Sequence, residues 1–356
     1  MPAAVIYAKH LPAGTRNRVE SVALIGATGQ QGSHILKQLL ASPALSRLQV
    51  TALTRKQGGS ANQLKVEADA RARVRVRVLP VDYDDHAELV RALRGKDVLL
   101  CTLSVHAPPE QQNKLVDAAK EVGVKWFIPN EWGYDPSPAV AQDTMIGLSK
   151  SKERAYIQQR DLPWIAFAPG FWYSYSLSGG EALFGIDINN RKAVLYQGGQ
   201  VALSTSTWQR TARAVASLLS LPMYPRNEAD ASITMSHWLN RFVHISSFTL
   251  TQREMLDSVQ QVTHTTDADW TIDVSTSARE AWQQGTEELR AGNRMGFAKA
   301  LYSRMFYPED QPGNLKDVTA VDNQLLGLPT EDLKEYTLQA VDMAKENYMQ
   351  KSYARK

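Results

Sequence analysis

Three features of the sequence predict an α/β fold, a doubly wound parallel sheet with a smaller C-terminal α/β lobe. Short apolar runs alternate with helix-like segments through the first half of the 356 residues. A glycine-rich segment, Gly26-Ala27-Thr28-Gly29-Gln30-Gln31-Gly32, stands between the apolar run Val22-Ala23-Leu24-Ile25 and a helix-like stretch. The second half loses this regular alternation and gathers aromatic residues.

The elements follow in order. Residues 22–25 form the first strand and 33–40 its helix, and 48–53 and 74–79 are the second and third strands. Val81-Asp82-Tyr83-Asp84-Asp85 opens a helix that runs through Leu93. Residues 97–103 make the fourth strand, about 109–122 a helix, 125–128 the fifth strand and 162–168 a sixth. Alternation of this kind builds a parallel sheet covered on both faces, with ligands outside the carboxyl ends of its strands. Residues 193–206 and a helix over 208–221 return to the sheet; 242–247, 251–262 and the helical 278–307 form the lobe, with Trp270, Trp282, Tyr302 and Phe306 as core. The expected division is a 1–20 extension, a dinucleotide-binding domain of 21–170 plus 193–222, and a substrate lobe of 171–192 plus 223–356.

A chain of this length with 43% hydrophobic residues can bury a sizeable core. Its 40 basic and 37 acidic residues leave a formal charge of +3, which calls for neither nucleic acid nor an anionic membrane. No apolar stretch approaches a membrane span. The single cysteine, Cys101, lies inside a strand-like run and fits a reducing cytoplasm, and the seven histidines show no metal-ligand spacing. A cytoplasmic monomer or homodimer acting on a small molecule is expected.

The glycine segment reads as a dinucleotide clamp of the Rossmann type. A strand that ends in glycines can turn tightly into a helix whose first N–H groups are free, and side chains there would hold the backbone away from a pyrophosphate. Gly26, Thr28, Gly29, Gln30, Gln31 and Gly32 are therefore cofactor-binding candidates. About twenty residues beyond such glycines an acid suits the ribose of NAD, whereas a cation suits the 2′-phosphate of NADP. Arg55 and Lys56 fill that place, so NADPH is the expected cofactor.

By the strand-end rule Thr102, Leu103, Asn130, Pro169 and Phe171 should line the cofactor, and His106, Glu131, Trp132, Trp172, Tyr173 and Tyr175 the substrate. The aromatics offer flat apolar faces with polar tips, suited to an aromatic or polyketide-like compound. A tyrosine four residues before a lysine is absent near 150, where Ile146 and Leu148 stand instead. Periodicity alone does not separate Lys150 from Lys152.

These segments, with Val124-Lys125-Trp126-Phe127-Ile128-Pro129-Asn130-Glu131-Trp132-Gly133 and a lysine thirteen residues before Pro163, resemble the isoflavone-reductase and NmrA-like branch of atypical short-chain dehydrogenases. Gly170-Phe171-Trp172-Tyr173, Ser246-Ser247-Phe248 and Leu326-Gly327-Leu328-Pro329 are more similar to fungal CipA-like members. The resemblance covers about residues 21–345. It implies an NADPH-dependent reductase delivering hydride to an activated C=C, C=O or C=N, with a lysine as general acid/base at Lys150. It also aligns His106 and Gln112 with a Gly-His…Gln segment in which Val105 replaces the glycine. An NADP-sensing regulator without turnover and a quinone reductase share the same fold and cofactor.

Overall fold

A computed structural model describes residues 6–56, 74–104, 107–108, 110–349 and 351. His106 and Val105 lie outside the described residues. The glycine turn joins β1 (Ser21–Ile25) to α1 (Gln30–Ala41), and β2 (Gln49–Arg55), β3 (Arg75–Val81), β4 (Val98–Cys101) and β5 (Trp126–Ile128) complete a parallel sheet of order β3-β2-β1-β4-β5. The crossover helices are α2 (His86–Leu93) and α3 (Gln111–Glu121). Asp85 caps α2 by accepting the Glu88 N–H at 3.0 Å, so the acid that opens this segment stops the preceding turn and starts the helix.

Successive side chains of a strand face opposite sides, and β1 divides accordingly. Val22 and Leu24 enter a core with Ile35 and Leu39 of α1, while Ala23 and Ile25 enter another with Leu89, Leu115 and Val116 of α2 and α3. All are fully buried. Each large aliphatic removed from water contributes about 1.5–3 kcal/mol before conformational entropy is set against it.

The sheet continues past β5. Phe127 donates its N–H to Pro163 O at 2.8 Å and bridges to Trp164, which brings in α4 (Pro138–Asp143), α5 (Met145–Gln159) and then β6 (Ile165–Ala168). After β7 (Phe171–Trp172) come α6 (Tyr173–Leu177), α7 (Glu181–Phe184), β8 (Ile186–Asp187), β9 (Lys192–Val194) and β10 (Ala202–Ser206). Thr207 caps α8 (Trp208–Ser220), which packs on α1, and β11 (Arg241–His244) runs parallel to β6. The rest comprises β12 (Phe248–Thr251), α9 (Gln252–Thr263), β13 (Thr271–Asp273), α10 (Ala278–Arg290), α11 (Met295–Arg304), α12 (Lys316–Leu325) and α13 (Leu333–Lys345).

Strand pairing distributes the later strands over separate sheets. The stretch 193–206 is two strands in two lobe sheets, β8-β9-β13 and β7-β10-β12, separated by left-handed backbone at Gln197, Gly198 and Gly199. Arg241–His244, expected in the lobe, belongs with the parallel strands instead. The expected helix over 278–307 is a hairpin of α10 and α11 that turns at Gly292, whose φ is +91°. Its helices touch backbone to backbone, since a Cβ on Gly296 would lie 2.4 Å from Gly285 O. The same hairpin grips the α4–α5 corner. Arg304 Nε donates to Asp143 at 2.6 Å while its other nitrogens hold Asp310, and Trp282 Nε1 donates to Asp143 O.

The glycine turn is where packing tolerates least. Gly26 has φ +78°, and a Cβ there would meet Thr102 O at 2.0 Å. A Cβ on Gly32 would meet Gly26 O at 2.1 Å and Thr102 Oγ1 at 2.6 Å. Gly29 differs, its nearest neighbour being Gly26 O at 3.2 Å. Gly32→Ala is thus expected to lower stability by about 1–3 kcal/mol through overpacking. Urea unfolding of the purified variant measures this, and a midpoint equal to the parent's would show that α1 does not press on β1 and β4 here.

Candidate functional site

At the carboxyl ends of β1 and β4 the turn builds a concave backbone surface. Gly29 N donates to Gly26 O at 2.8 Å, and Thr102 closes the far side with its N–H and hydroxyl both on Ile25 O. No side chain caps α1, so its first N–H groups face outward with the positive end of the helix. Gly26 and Gly32 are needed for packing, and Gly29 leaves the outer face open. An anionic pyrophosphate fits that arrangement in both shape and sign.

Arg55 ends β2 exposed and has no hydrogen-bond or ion-pair partner among the described residues. Lys56, also exposed, is instead bound to Glu88 of α2, whose carboxylate is held below its usual range by the Asp82 N–H and by Lys56. This differs from the expectation that both cations are available.

Lys150 and Lys152, alike in sequence, separate in space. Lys152 is exposed, whereas the Lys150 side chain is 23% exposed and donates to Glu153 Oε2 at 2.9 Å. Gln112 Nε2 of α3 donates to the same oxygen at 2.7 Å, and Gln112 Oε1 accepts the Asn130 N–H at 2.8 Å. Lys150 is thereby tied through two side chains to Asn130, the second residue after β5, and lies close enough to Cys101 and Glu131 to bias both electrostatically. Glu153 escaped the sequence reading, although it lies three residues along the same helix from Lys150 and that spacing was visible.

Glu131 sits one residue beyond. Its Oε2 accepts from Arg154 NH1, and its Oε1 is buried without a partner. The ion pair alone would favour the carboxylate, but burial outweighs Arg154 and Lys150 and raises the carboxyl to about 7. Arg154 was also missed; its guanidinium lies over the Phe242 ring at 5.1 Å. Burial likewise pushes the Cys101 thiol up to about 12, leaving it an inert core residue.

The expected substrate aromatics divide. Tyr173 is fully buried in the lobe, its hydroxyl on Thr337 Oγ1 at 2.8 Å, and presents no face to a ligand. Phe171, expected at the cofactor, is stacked on Tyr302 at 3.6 Å within the same core. Trp132 joins strands, stacking on Phe167 and donating to Cys101 O at 3.0 Å. Trp172 and Tyr175 remain half-buried, and both rings meet Trp208. Trp208 O receives Gln31 Nε2 at 3.5 Å, which sets this aromatic group beside the start of α1. Leu103 and Pro169 follow β4 and β6, where the strand-end rule put them. No group of three or more metal-ligating side chains occurs among the described residues, and no described helix is long and apolar enough to cross a membrane.

Parallel strands, an uncapped helix behind a glycine turn and polar groups at the strand ends compose the α/β fold typical of dinucleotide-binding proteins. Residues 19–179 match the model of the NmrA-like family. The oxidoreductase aprR of Aspergillus flavus is 26% identical over 88% of this chain and 96% of its own length. The bifunctional pinoresinol-lariciresinol reductase 2 of Thuja plicata is 29% identical over 51% of this chain and 59% of its own. The solved structure of AtPrR2 with NADP+ and (+)pinoresinol superposes with a TM-score of 0.66 at 19% identity, covering 90% of this chain and 98% of that one, which shows the shared fold.

The Glu131 environment has a measurable sign. Its folded value of about 7 stands above the 4.5 of a free glutamic acid, so the stability it contributes is full below about pH 4.5 and is lost as pH rises through 7. Glu131→Gln is expected to flatten that decline in urea midpoints between pH 4.5 and 8. An unchanged slope would mean that Glu131 is ionised throughout.

Proposed function

We propose that the protein is an NADPH-dependent reductase of a small aromatic or polyketide-like compound, with Lys150 as the proton donor. The observation that carries this reading is the setting of Lys150: half-buried, bonded to Glu153, which Gln112 also holds, and near Cys101 at the end of β4 and Glu131 after β5. The names of its relatives, oxidoreductase and reductase, agree with it.

The glycine turn and the start of α1 hold the pyrophosphate of the cofactor, and Arg55 takes its 2′-phosphate. The cofactor supplies hydride. Lys150 Nζ, steadied on Glu153, presents an N–H to the oxygen, nitrogen or carbon that gains electrons in the substrate and gives up a proton there. Gln112 fixes Glu153 and so fixes the direction of the ammonium. Trp172 and Tyr175 stack on the substrate and keep water from its reacting bond.

Arg55→Ala is expected to weaken NADPH by about 1.5–3 kcal/mol, the worth of one charge-assisted contact, with little effect on NADH. Calorimetric titration with both cofactors checks this, and equal losses would remove Arg55 from the phosphate.

Lys150→Met should leave NADPH affinity nearly intact and slow single-turnover reduction by about 10²–10⁴-fold. Lys152→Met should behave as the parent. Screening enones, ketones, imines and quinones for NADPH oxidation identifies an accepted substrate for the assay. If Lys150→Met then turns over normally, the proton comes from elsewhere or the reduction needs no dedicated donor; if no class is turned over, the sensing role gains the ground.

A further inference from the structure

Beside the first turn of α8 lies a cavity of about 370 Å³ whose wall includes Arg210, Ser246, Ser247, Lys316, Thr319 and Asn323. It shares no residue with the cofactor turn or with the Lys150 group. Arg210 is its unusual member: the side chain is 3% exposed, yet Nε and NH1 have no hydrogen-bond partner among the described residues. A buried guanidinium in that state is costly.

The neighbouring acid does not satisfy it. Glu331 accepts from Arg213 NH1 at 2.6 Å, from the Thr207 hydroxyl at 3.0 Å, from the Ser247 hydroxyl, and from the Tyr336 hydroxyl at 3.4 Å. A carboxylate offers about four lone-pair sites, and four donors fill them. Arg210 Nε stands 3.6 Å from Glu331 Oε2, beyond hydrogen-bond reach. Two arginines share one carboxylate, and the exposed Lys316 on the cavity wall adds a further positive charge.

The opposite need is present in the same cavity. Asn323 Nδ2 donates to Ser246 O at 2.9 Å, which fixes the amide orientation and makes Oδ1 an acceptor. That oxygen is buried and unpaired. The hydroxyl protons nearby are already committed, Ser246 to Thr319, Thr319 to Lys316 O and Ser247 to Glu331. The cavity thus offers unfilled cationic donors and one buried acceptor that lacks a proton to receive.

We propose that this cavity binds phosphate, free or as the head of a small monoester, in a form that retains an O–H. Its oxygens take Arg210 and Lys316, and its remaining hydroxyl donates to Asn323 Oδ1. Inorganic phosphate keeps such a proton throughout the neutral range, whereas a monoester, whose second ionisation lies at about pH 6, retains it in a minority of molecules and must take one up to bind in this way. Sulfate keeps no such proton, and neither does a simple carboxylate. An oxyanion without that hydroxyl leaves Oδ1 unpaired, and this is what makes the site selective.

The test is thermal unfolding of the full chain saturated with NADPH, so that the cofactor site is filled and its own phosphates do not compete. Inorganic phosphate, glycerol phosphate and sulfate are titrated separately at constant ionic strength. The expected result is saturable stabilisation by phosphate, with an apparent affinity at least tenfold above that for sulfate. Half-saturation by glycerol phosphate at a lower concentration than inorganic phosphate identifies a monoester as the ligand, and the reverse order identifies the free ion. Arg210→Met should abolish the saturable part. Because that change disturbs the core, Lys316→Glu, on an exposed rim residue, serves as the second variant and should weaken phosphate at least tenfold. Equal effects of phosphate and sulfate, or a Lys316→Glu protein that responds like the parent, would overturn the assignment.

Discussion

The approach of three backbone segments at one point governs this molecule. The end of β1, the start of α1 and the residue after β4 meet with no room for a side-chain carbon at Gly26 or Gly32. Thr102 is the third party, its carbonyl and hydroxyl lying where those carbons would be. Because β1 is central in the sheet, that contact sets the height of α1 over the strands and the direction of its free N–H groups. The open backbone surface above the turn is a by-product of dense packing beneath it.

The polar groups around Lys150 rest on this frame. Gln112 comes from the helix after β4, Asn130 and Glu131 follow β5, and Lys150, Glu153 and Arg154 come from α5. All of these pairings except Lys150 with Glu153 join residues of different elements. Buried polar groups in such a network hold one another in place, and the loss of one leaves others unsatisfied. Glu131 shows the tension in the arrangement: it is paired on one oxygen, stranded on the other, and more readily protonated than an ordinary glutamic acid.

Much of the first half was legible because its strands are buried on both faces and read as apolar runs between glycine, proline and acidic breaks. The glycine turn was legible as a tight strand-to-helix junction, since no side-chain carbon fits at Gly26 or Gly32. The lobe was not. Its strands are two to five residues long, too short for a period to show, and the turn at Gln197–Gly199 that splits 193–206 is punctuated by glycines a strand reading ignores. Phe171, Trp172 and Tyr173 are equally aromatic on paper; only the turn into α6 decides that Tyr173 points to Thr337 while Trp172 meets Trp208. Lys150 and Lys152 were likewise equal until packing half-covered one of them. Pairings between residues far apart in the chain, such as Arg154 with Glu131 or Glu331 with Arg213, leave no local signal.

The grip of the α10–α11 hairpin on Asp143 has a consequence for how such a protein diversifies. The corner it holds is stiff, because Gly147 at the start of α5 lies against Ala141 of α4 with no space for a Cβ. Lys150 is on the next turn of that helix. A change in the hairpin that shifts Arg304 by a fraction of an ångström therefore displaces the lysine as part of a rigid lever, without altering any residue that lines the cleft. Variation in the least regular part of the sequence can in this way retune the site, while the glycine turn and the strands beneath it stay as they are.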